Sequence, residues 1–273
     1  MGYQIDTHEP SEQFLKARQI AGFTLQERFK CVSGKVDASN DYKWIKPELS
    51  WPSFDHLTFS YRNQVFSVLV GIEGESGLSL NKKEIDCCLD ACTANNLIPC
   101  LFLIDGLTML PSSEGWNLVH LATRQSVIPA ECTDEASIEM SEWELRNFCI
   151  QMVRNHINDM CGEVLSFCDV LNIDPQIWFY DKDGNRSWVI VRHYPKITGA
   201  EKSAWIGFEK SNPQLSPFDG YFAGVSIASS APSLKGKDGV LIPLSQRFTG
   251  AAPLYRGDEF YVKFEGLQRI YVC

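Results

Sequence analysis

Cysteine has the widest range of chemistry among the residue types of this sequence, because a thiol can bind a metal, form a disulfide or act as a nucleophile. The chain of 273 residues contains ten cysteines, and no two of them have the C-x-x-C spacing of zinc and redox sites. Cys88 and Cys92 lie four residues apart and in line with Ile85 and Leu89, which is helical spacing. We therefore expect reduced thiols buried in a core, and neither a metal site nor a disulfide framework.

Motifs that define several enzyme classes are missing from the chain. The sequence has no G-x-S-x-G, H-E-x-x-H, G-x-x-x-x-G-K-[ST] or G-x-G-x-x-G, which argues against a serine hydrolase, a zinc metalloprotease, a P-loop enzyme and a dinucleotide-binding enzyme. His156 follows Cys149 by one heptad in a helical pattern, so we expect a core or boundary position for it rather than a catalytic dyad. The sequence predicts no cofactor and no metal.

One stretch of the second half resembles the core of restriction-endonuclease-like nucleases of the PD-(D/E)XK type. A capped helix and a strand are followed by Asp174-Pro-Gln-Ile-Trp-Phe and then by Trp188-Val-Ile-Val-Arg192. In that family an Asp opens one strand and an E-x-K lies on the next, so that two carboxylates hold a divalent metal and the lysine assists the attacking water.

Matched position by position, the resemblance implies a nuclease relative that has lost its metal site. Asp174 takes the place of the first acid, Ile190 that of the second carboxylate and Arg192 that of the lysine. The alternative is an active metal-dependent nuclease or hydrolase with a second carboxylate from elsewhere. The candidates for that carboxylate are Glu163, Glu73 and Glu75.

The charge balance points to a basic protein partner. The chain has 25 Lys and Arg against 34 Asp and Glu, a net charge of −9, which disfavours nucleic-acid binding through the bulk surface. Between Gln125 and Pro175 there are ten acidic residues against Arg146 and Arg154. A solvated helix face is one explanation, and a surface that docks a basic partner is the other. The partner-binding residues that we predict are Glu135, Glu139, Glu142, Asp159, Glu163 and Asp169.

Several elements can be placed from local signals. Asn81 with Glu84, and Ser141 with Glu144, form capping boxes that predict helix starts. A less regular helix is expected over 11–20, and hairpins over 54–70 and 175–192. Further strands are predicted at 97–104, 221–228, 240–243 and 260–264. No apolar run is long enough to cross a bilayer and the start of the chain does not read as a signal peptide, so we expect a cytoplasmic protein that does not bind membranes.

The two halves repeat one order of elements. Asp55, Phe59 and Tyr61 have the same spacing as Asp174, Trp178 and Tyr180. We therefore predict an α+β fold of two similar lobes, residues 1–138 and 139–273, with mixed sheets flanked by helices and with an internal duplication as their origin. Two unrelated lobes and one continuous domain are the alternatives.

These observations favour a non-enzymatic binding protein. We expect it to act on a basic macromolecular partner through its acidic surface, as a bacterial immunity protein that neutralises a toxin would. A nuclease or hydrolase of restriction-endonuclease-like fold is the first alternative, and a structural subunit of a larger assembly is the second. The sequence leaves the oligomeric state open.

Overall fold

A computed structural model of the chain divides into two compact units, Met1–Ala136 and Ser137–Cys273. We call them the N-terminal lobe and the C-terminal lobe. The structure describes residues 11–32, 42–46, 56–74, 77–160, 162–168, 170, 173–193, 211–232, 234–235, 239–248 and 252–270. In those ranges no helix is long and apolar enough to span a membrane.

The N-terminal lobe is a six-stranded mixed sheet with two helices. Its elements are α1 (Glu12–Val32), β1 (Tyr42–Lys46), β2 (His56–Tyr61), β3 (Gln64–Gly74), β4 (Gly77–Leu78), α2 (Lys82–Asn95), β5 (Ile98–Asp105) and β6 (Leu118–His120). The strand order is β1-β2-β3-β5-β6, with β4 paired to β3. Only the β3–β5 pair is parallel, because the intervening α2 returns the chain to the same end of the sheet.

The C-terminal lobe has the same pattern of strand directions. Its elements are α3 (Glu142–Asp159), β7 (Glu163–Phe167), β8 (Ile177–Tyr180), β9 (Arg186–His193), β10 (Asp219–Ser229), α4 (Leu244–Arg247), β11 (Phe260–Phe264) and β12 (Gln268–Arg269). The strand order is β7-β8-β9-β10-β11, with β12 paired to β10 and only β9–β10 parallel. The prediction of an α+β fold with two similar sheet lobes is therefore confirmed.

Each sheet buries apolar side chains on both faces. In the N-terminal lobe α1 covers an aromatic-rich cluster that includes Phe29 and Phe59, and α2 covers a second cluster that contains Cys88 and Cys92. In the C-terminal lobe α3 packs on one face of the sheet, and Trp188 belongs to the cluster on the other face. Each of the four clusters takes all of its members from one lobe, two clusters in the N-terminal lobe and two in the C-terminal lobe.

Local signals located both capped helices and both hairpins, and two of the predicted elements differ from the structure. Both capping boxes are present, at Asn81 with Glu84 and at Ser141 with Glu144. The first helix extends twelve residues beyond the expected end at Ile20, to Val32, because its buried positions continue at helical spacing. The strand predicted over 240–243 is wrong: Leu241 makes only an isolated bridge to Lys235, and Pro243 is the N-cap of α4. Proline lacks the N–H that a strand ladder needs and has a φ angle suited to a helix start.

Candidate functional site

A half-buried ion pair lies where the nuclease resemblance would place a metal. Asp174 precedes β8 and Arg192 is near the end of the antiparallel neighbour β9, so their side chains meet. Arg192 Nη1 donates to Asp174 Oδ1 at 2.8 Å and Nη2 donates to Oδ2 at 2.5 Å. This two-pronged arrangement is the strongest way in which a guanidinium binds a carboxylate.

Gln176 holds this ion pair in place. Its side-chain Oε1 accepts a hydrogen bond from the backbone N–H of Val191 at 2.7 Å, while its Nε2 donates to Asp174. Burial raises the pKa of Asp174, but the hydrogen bonds from Arg192 and Gln176 and the charges of Arg192 and Arg146 outweigh burial and leave the pKa below its ordinary value. Asp174 is therefore ionised at neutral pH.

The other positions of the nuclease motif hold no second acid near Asp174. Ile190 is fully buried in the cluster with Trp188, on the face of the sheet away from α3. Glu163 pairs with Tyr180 at the far end of β7 and β8, which places it about 13 Å along the strands from the end nearest Asp174. Glu73 lies at the end of β3 in the N-terminal lobe, and Glu75 is outside the described residues. Within the described ranges no group of three or more His, Cys, Asp or Glu could hold a metal.

Arg146 extends this polar site from the side of α3. Its side chain is 10% exposed, and Nη1 is buried without a hydrogen-bond partner. The ion-pair contact of its Nη2 is with Glu142 Oε1 at 4.0 Å, and the Glu142 side chain is 76% exposed. Burial and the nearby positive charge of Arg192 lower the pKa of Arg146, and the negative charges of Asp174 and Glu142 offset only part of this effect. We call Arg146, Asp174, Gln176 and Arg192 the arginine cluster.

The buried arginine of α3 has a counterpart in α1. Arg146 precedes the buried residues Cys149, Val153 and Ile157 by three, seven and eleven positions, and Arg18 precedes Ala21, Leu25 and Phe29 by the same intervals. The Arg18 side chain is also buried. The two helices thus have buried faces with the same spacing.

The repeated spacing of the second and third strands does not place matched residues on equivalent faces of the two sheets. Tyr61 and Tyr180 both end the second strand of their lobe and pair with the first residue of the third. Counted from these turns, Val68 corresponds to Ile190, but Val68 packs in the cluster that α1 covers, whereas Ile190 lies on the face away from α3. Asp55 corresponds to Asp174 by the same count, but it lies outside the described residues.

The predicted acidic residues do not form a single patch. Glu135 belongs to the N-terminal lobe, and Asp169 is outside the described residues. Glu139, Glu142, Asp159 and Glu163 are exposed in the C-terminal lobe. Glu142 begins α3 and Asp159 ends it, so the two are about 26 Å apart along the helix axis. Glu139 precedes the start of α3, and Glu163 follows closely after its end.

Two of the ten acids between Gln125 and Pro175 are neutralised by arginines from later in the chain. Asp174 pairs with Arg192, as described above. Glu144 pairs with Arg256 through two hydrogen bonds of 2.8 Å, and both side chains are 3% exposed. The capping box identified Glu144 as a helix-start residue, but no local signal connects it to Arg256, 112 residues away.

The expectation of buried core thiols holds for four of the eight described cysteines, Cys88, Cys92, Cys100 and Cys149, whereas Cys31 and Cys87 are exposed. The eight described cysteines are free thiols. Cys88 and Cys92 are buried with their Sγ atoms 4.0 Å apart, and the hydrogen bond to Cys88 together with burial raises the pKa of Cys92 far above its ordinary value. His156 is also at a boundary position, with its ring against Phe264 at a centroid distance of 5.0 Å.

Comparison with known proteins gives one match, which lies in the C-terminal lobe. No curated protein and no solved structure matches the chain. Residues 143–270 match the model of a domain of unknown function, DUF8840. The matched segment runs from the first turn of α3 to the end of the described C-terminal lobe and contains the whole arginine cluster. The C-terminal lobe is therefore similar to this domain family.

Proposed function

We propose that this chain is a cytoplasmic, non-enzymatic protein that binds a basic macromolecular partner, most simply another protein, through acidic side chains of its C-terminal lobe. A toxin-neutralising immunity protein is the narrower form of this proposal. The free thiols support a reducing compartment.

One observation carries the proposal. Between residues 137 and 167 of the C-terminal lobe four acidic residues are exposed, whereas neither arginine of this stretch is an exposed charge. Arg146 is buried, and Arg154 lies over the ring of Phe167 with its Cζ 3.8 Å from the ring centroid. The exposed charges of this stretch, at the two ends of α3, are thus all negative, and exposed negative charge accelerates encounter with a basic partner.

The ion pair of Asp174 favours this proposal over the nuclease alternative. Both carboxylate oxygens of Asp174 already accept hydrogen bonds from Arg192. A metal would have to displace a bidentate guanidinium, and Ile190 offers no second carboxylate beside it.

Charge-removing variants test the proposal and locate the partner. The full chain is immobilised and exposed to lysate of its native host, bound proteins are identified, and affinity for the purified partner is measured at several salt concentrations. E139Q/E142Q and D159N/E163Q remove two charges from opposite ends of α3. D86N/D90N removes two exposed charges from α2 and is the matched control.

We expect a basic partner whose affinity falls with salt and is weakened about tenfold by one of the two α3 double variants. The control should bind as the wild type does. Equal losses in all three double variants, or an acidic partner, would contradict the proposal. Magnesium-dependent cleavage of DNA or RNA that is abolished by Asp174→Asn would establish the nuclease alternative instead.

A further inference from the structure

We propose that β11 pairs with β11 of a second copy of this chain, so that the two C-terminal sheets join edge to edge across a twofold axis. This interface is separate from the exposed acidic residues at the ends of α3 on which the proposed function rests. It makes the chain a homodimer.

The outer edge of β11 presents backbone groups that no other strand uses in the described ranges. β11 is the last strand of its sheet, with β10 on its inner side. Ser230 N–H donates to the carbonyl of Glu259 at 2.9 Å, which continues the β10–β11 ladder by one residue. Because hydrogen-bonding groups alternate along an antiparallel strand, the N–H and C=O of Phe260, Val262 and Phe264 point away from β10.

The other edge strands of the two sheets have features that hinder pairing with another chain. The register of β1 is irregular between Trp44 and Lys46, and that of β7 between Val164 and Ser166. β6 has only three residues. Irregular and very short edge strands are devices by which native sheets avoid edge-to-edge association. β11, in contrast, has five residues in unbroken register with β10.

Apolar side chains are exposed along β11 on both faces of the sheet. Tyr261 is 49% exposed and Val262 is 36% exposed. Ile227, which lies directly opposite Val262 on β10, is only 4% exposed. Exposure therefore increases sharply from β10 to β11, and a second strand beside β11 would cover both side chains.

One antiparallel register of two β11 strands brings opposite charges together. When Tyr261 lies opposite Tyr261 of the partner subunit, Glu259 lies opposite Lys263 of the partner subunit. Phe260 then lies opposite Val262 of the partner subunit, so the outward-facing backbone groups form the hydrogen-bonded pairs. The tyrosines and the two Glu–Lys pairs occupy the non-hydrogen-bonded positions, where opposed side chains are closest.

Neighbouring registers lose this match. Centred on Val262, the pairing would place Glu259 opposite Glu265 of the partner subunit, and centred on Phe260 it would place Lys263 opposite Gly257 of the partner subunit. Registers between these would oppose outward-facing with inward-facing backbone groups. Charge and backbone direction therefore select the same register.

Lys263 is free to bind a carboxylate of the second copy. Its ion pair within the chain is with Glu265 at 3.1 Å, and the two side chains are 63% and 56% exposed. Such an exposed pair contributes little stability. A lysine on an edge strand ordinarily opposes pairing, but in this register the charge of Glu259 compensates it.

Sedimentation velocity of the full chain at increasing concentration tests the inference. We expect a reversible dimer. Val262→Pro removes an outward-facing N–H and no hydrogen bond to β10, so the C-terminal lobe should stay folded while dimerisation is lost. Circular dichroism of the variant checks its fold.

Exchange of the two charges gives the sharper result, because it also tests the register. Glu259→Lys and Lys263→Glu each place like charges opposite each other at two positions of the dimer, and each should weaken dimerisation about tenfold. The double variant E259K/K263E restores opposite charges and should dimerise as the wild type does. Lys182→Glu, in the turn between β8 and β9, makes the same change in net charge as Lys263→Glu and is the matched control.

A chain that stays monomeric up to about 1 mM would overturn the inference. Undiminished dimerisation of folded Val262→Pro would do the same, as would a double charge variant that dimerises no better than the single ones. The charge variants decide the outcome even if Val262→Pro does not fold. If the chain is monomeric and Val262→Pro no longer captures the partner found in lysate, the edge binds a strand of that partner and a second copy is excluded.

Discussion

At the scale of single residues, the stability of the C-terminal lobe depends on a buried charge pair that joins the start of α3 to the segment before β11. Glu144 Oε2 accepts hydrogen bonds both from the backbone N–H of Ser141 and from Arg256. Backbone hydrogen bonds reinforce the junction, from Met140 to Leu254 and from Arg256 to Ile138.

We predict that Glu144→Gln lowers the free energy of unfolding of the C-terminal lobe by about 3 to 5 kcal/mol, because Arg256 would stay buried without its counter-charge. Replacing both Glu144 and Arg256 with methionine should lower the free energy of unfolding by less than the sum of the two single methionine replacements, because no unpaired charge remains. Glu27 forms an exposed pair with Lys30, so Glu27→Gln is the control and should change stability by less than about 1 kcal/mol. Urea titration measures each of these variants, and a loss below about 1 kcal/mol for Glu144→Gln would show that the pair is not stabilising.

At the scale of elements, each lobe contains a helix whose start is fixed by a capping box. In α2 Asn81 Oδ1 accepts from the backbone of Glu84 at 3.0 Å, and in α3 Ser141 Oγ accepts from Glu144 at 3.2 Å. Each cap satisfies an N–H group that the helix itself cannot bond.

We predict that Asn81→Ala and Ser141→Ala each lower the free energy of unfolding by about 1 kcal/mol. Each should act on the lobe that contains it, because the two caps belong to different cores. Hydrogen exchange of backbone amides locates the effect. Loss of protection spread evenly over both lobes after Ser141→Ala would contradict the prediction.

At the scale of the whole molecule, each lobe has what an independent folding unit needs. The division into Met1–Ala136 and Ser137–Cys273 gives two pieces of common domain size, and each has its own buried clusters. We predict that residues 137–273 expressed alone fold and unfold cooperatively, with a circular dichroism spectrum of mixed helix and sheet. As a control, a fragment that ends after Val68 interrupts β3, the central strand of the N-terminal sheet, and should not fold. Failure of the 137–273 piece to unfold cooperatively would mean that the lobes depend on each other.

How far the sequence could be interpreted depended on the range of the interactions involved. Capping boxes, strand alternation and helical spacing act within a few residues, so α2, α3 and the two hairpins could be predicted. The end of α1 could not be predicted in this way, because the residues that extend it to Val32 are stabilised by packing on the sheet. The count of charged residues showed an acidic stretch, but it gave no information on which carboxylates would pair with arginines from elsewhere in the chain.

By itself the sequence determined the fold class, the repeated order of elements, the two helix caps and the core position of Cys88 and Cys92. Only the tertiary structure decided that Asp174 binds Arg192, that Glu144 binds Arg256, and that Arg146 is buried. The physical reason is that local backbone preferences are set by neighbours in the chain. Whether a buried charged side chain is paired depends on the groups that the fold brings beside it, in surroundings of low dielectric constant.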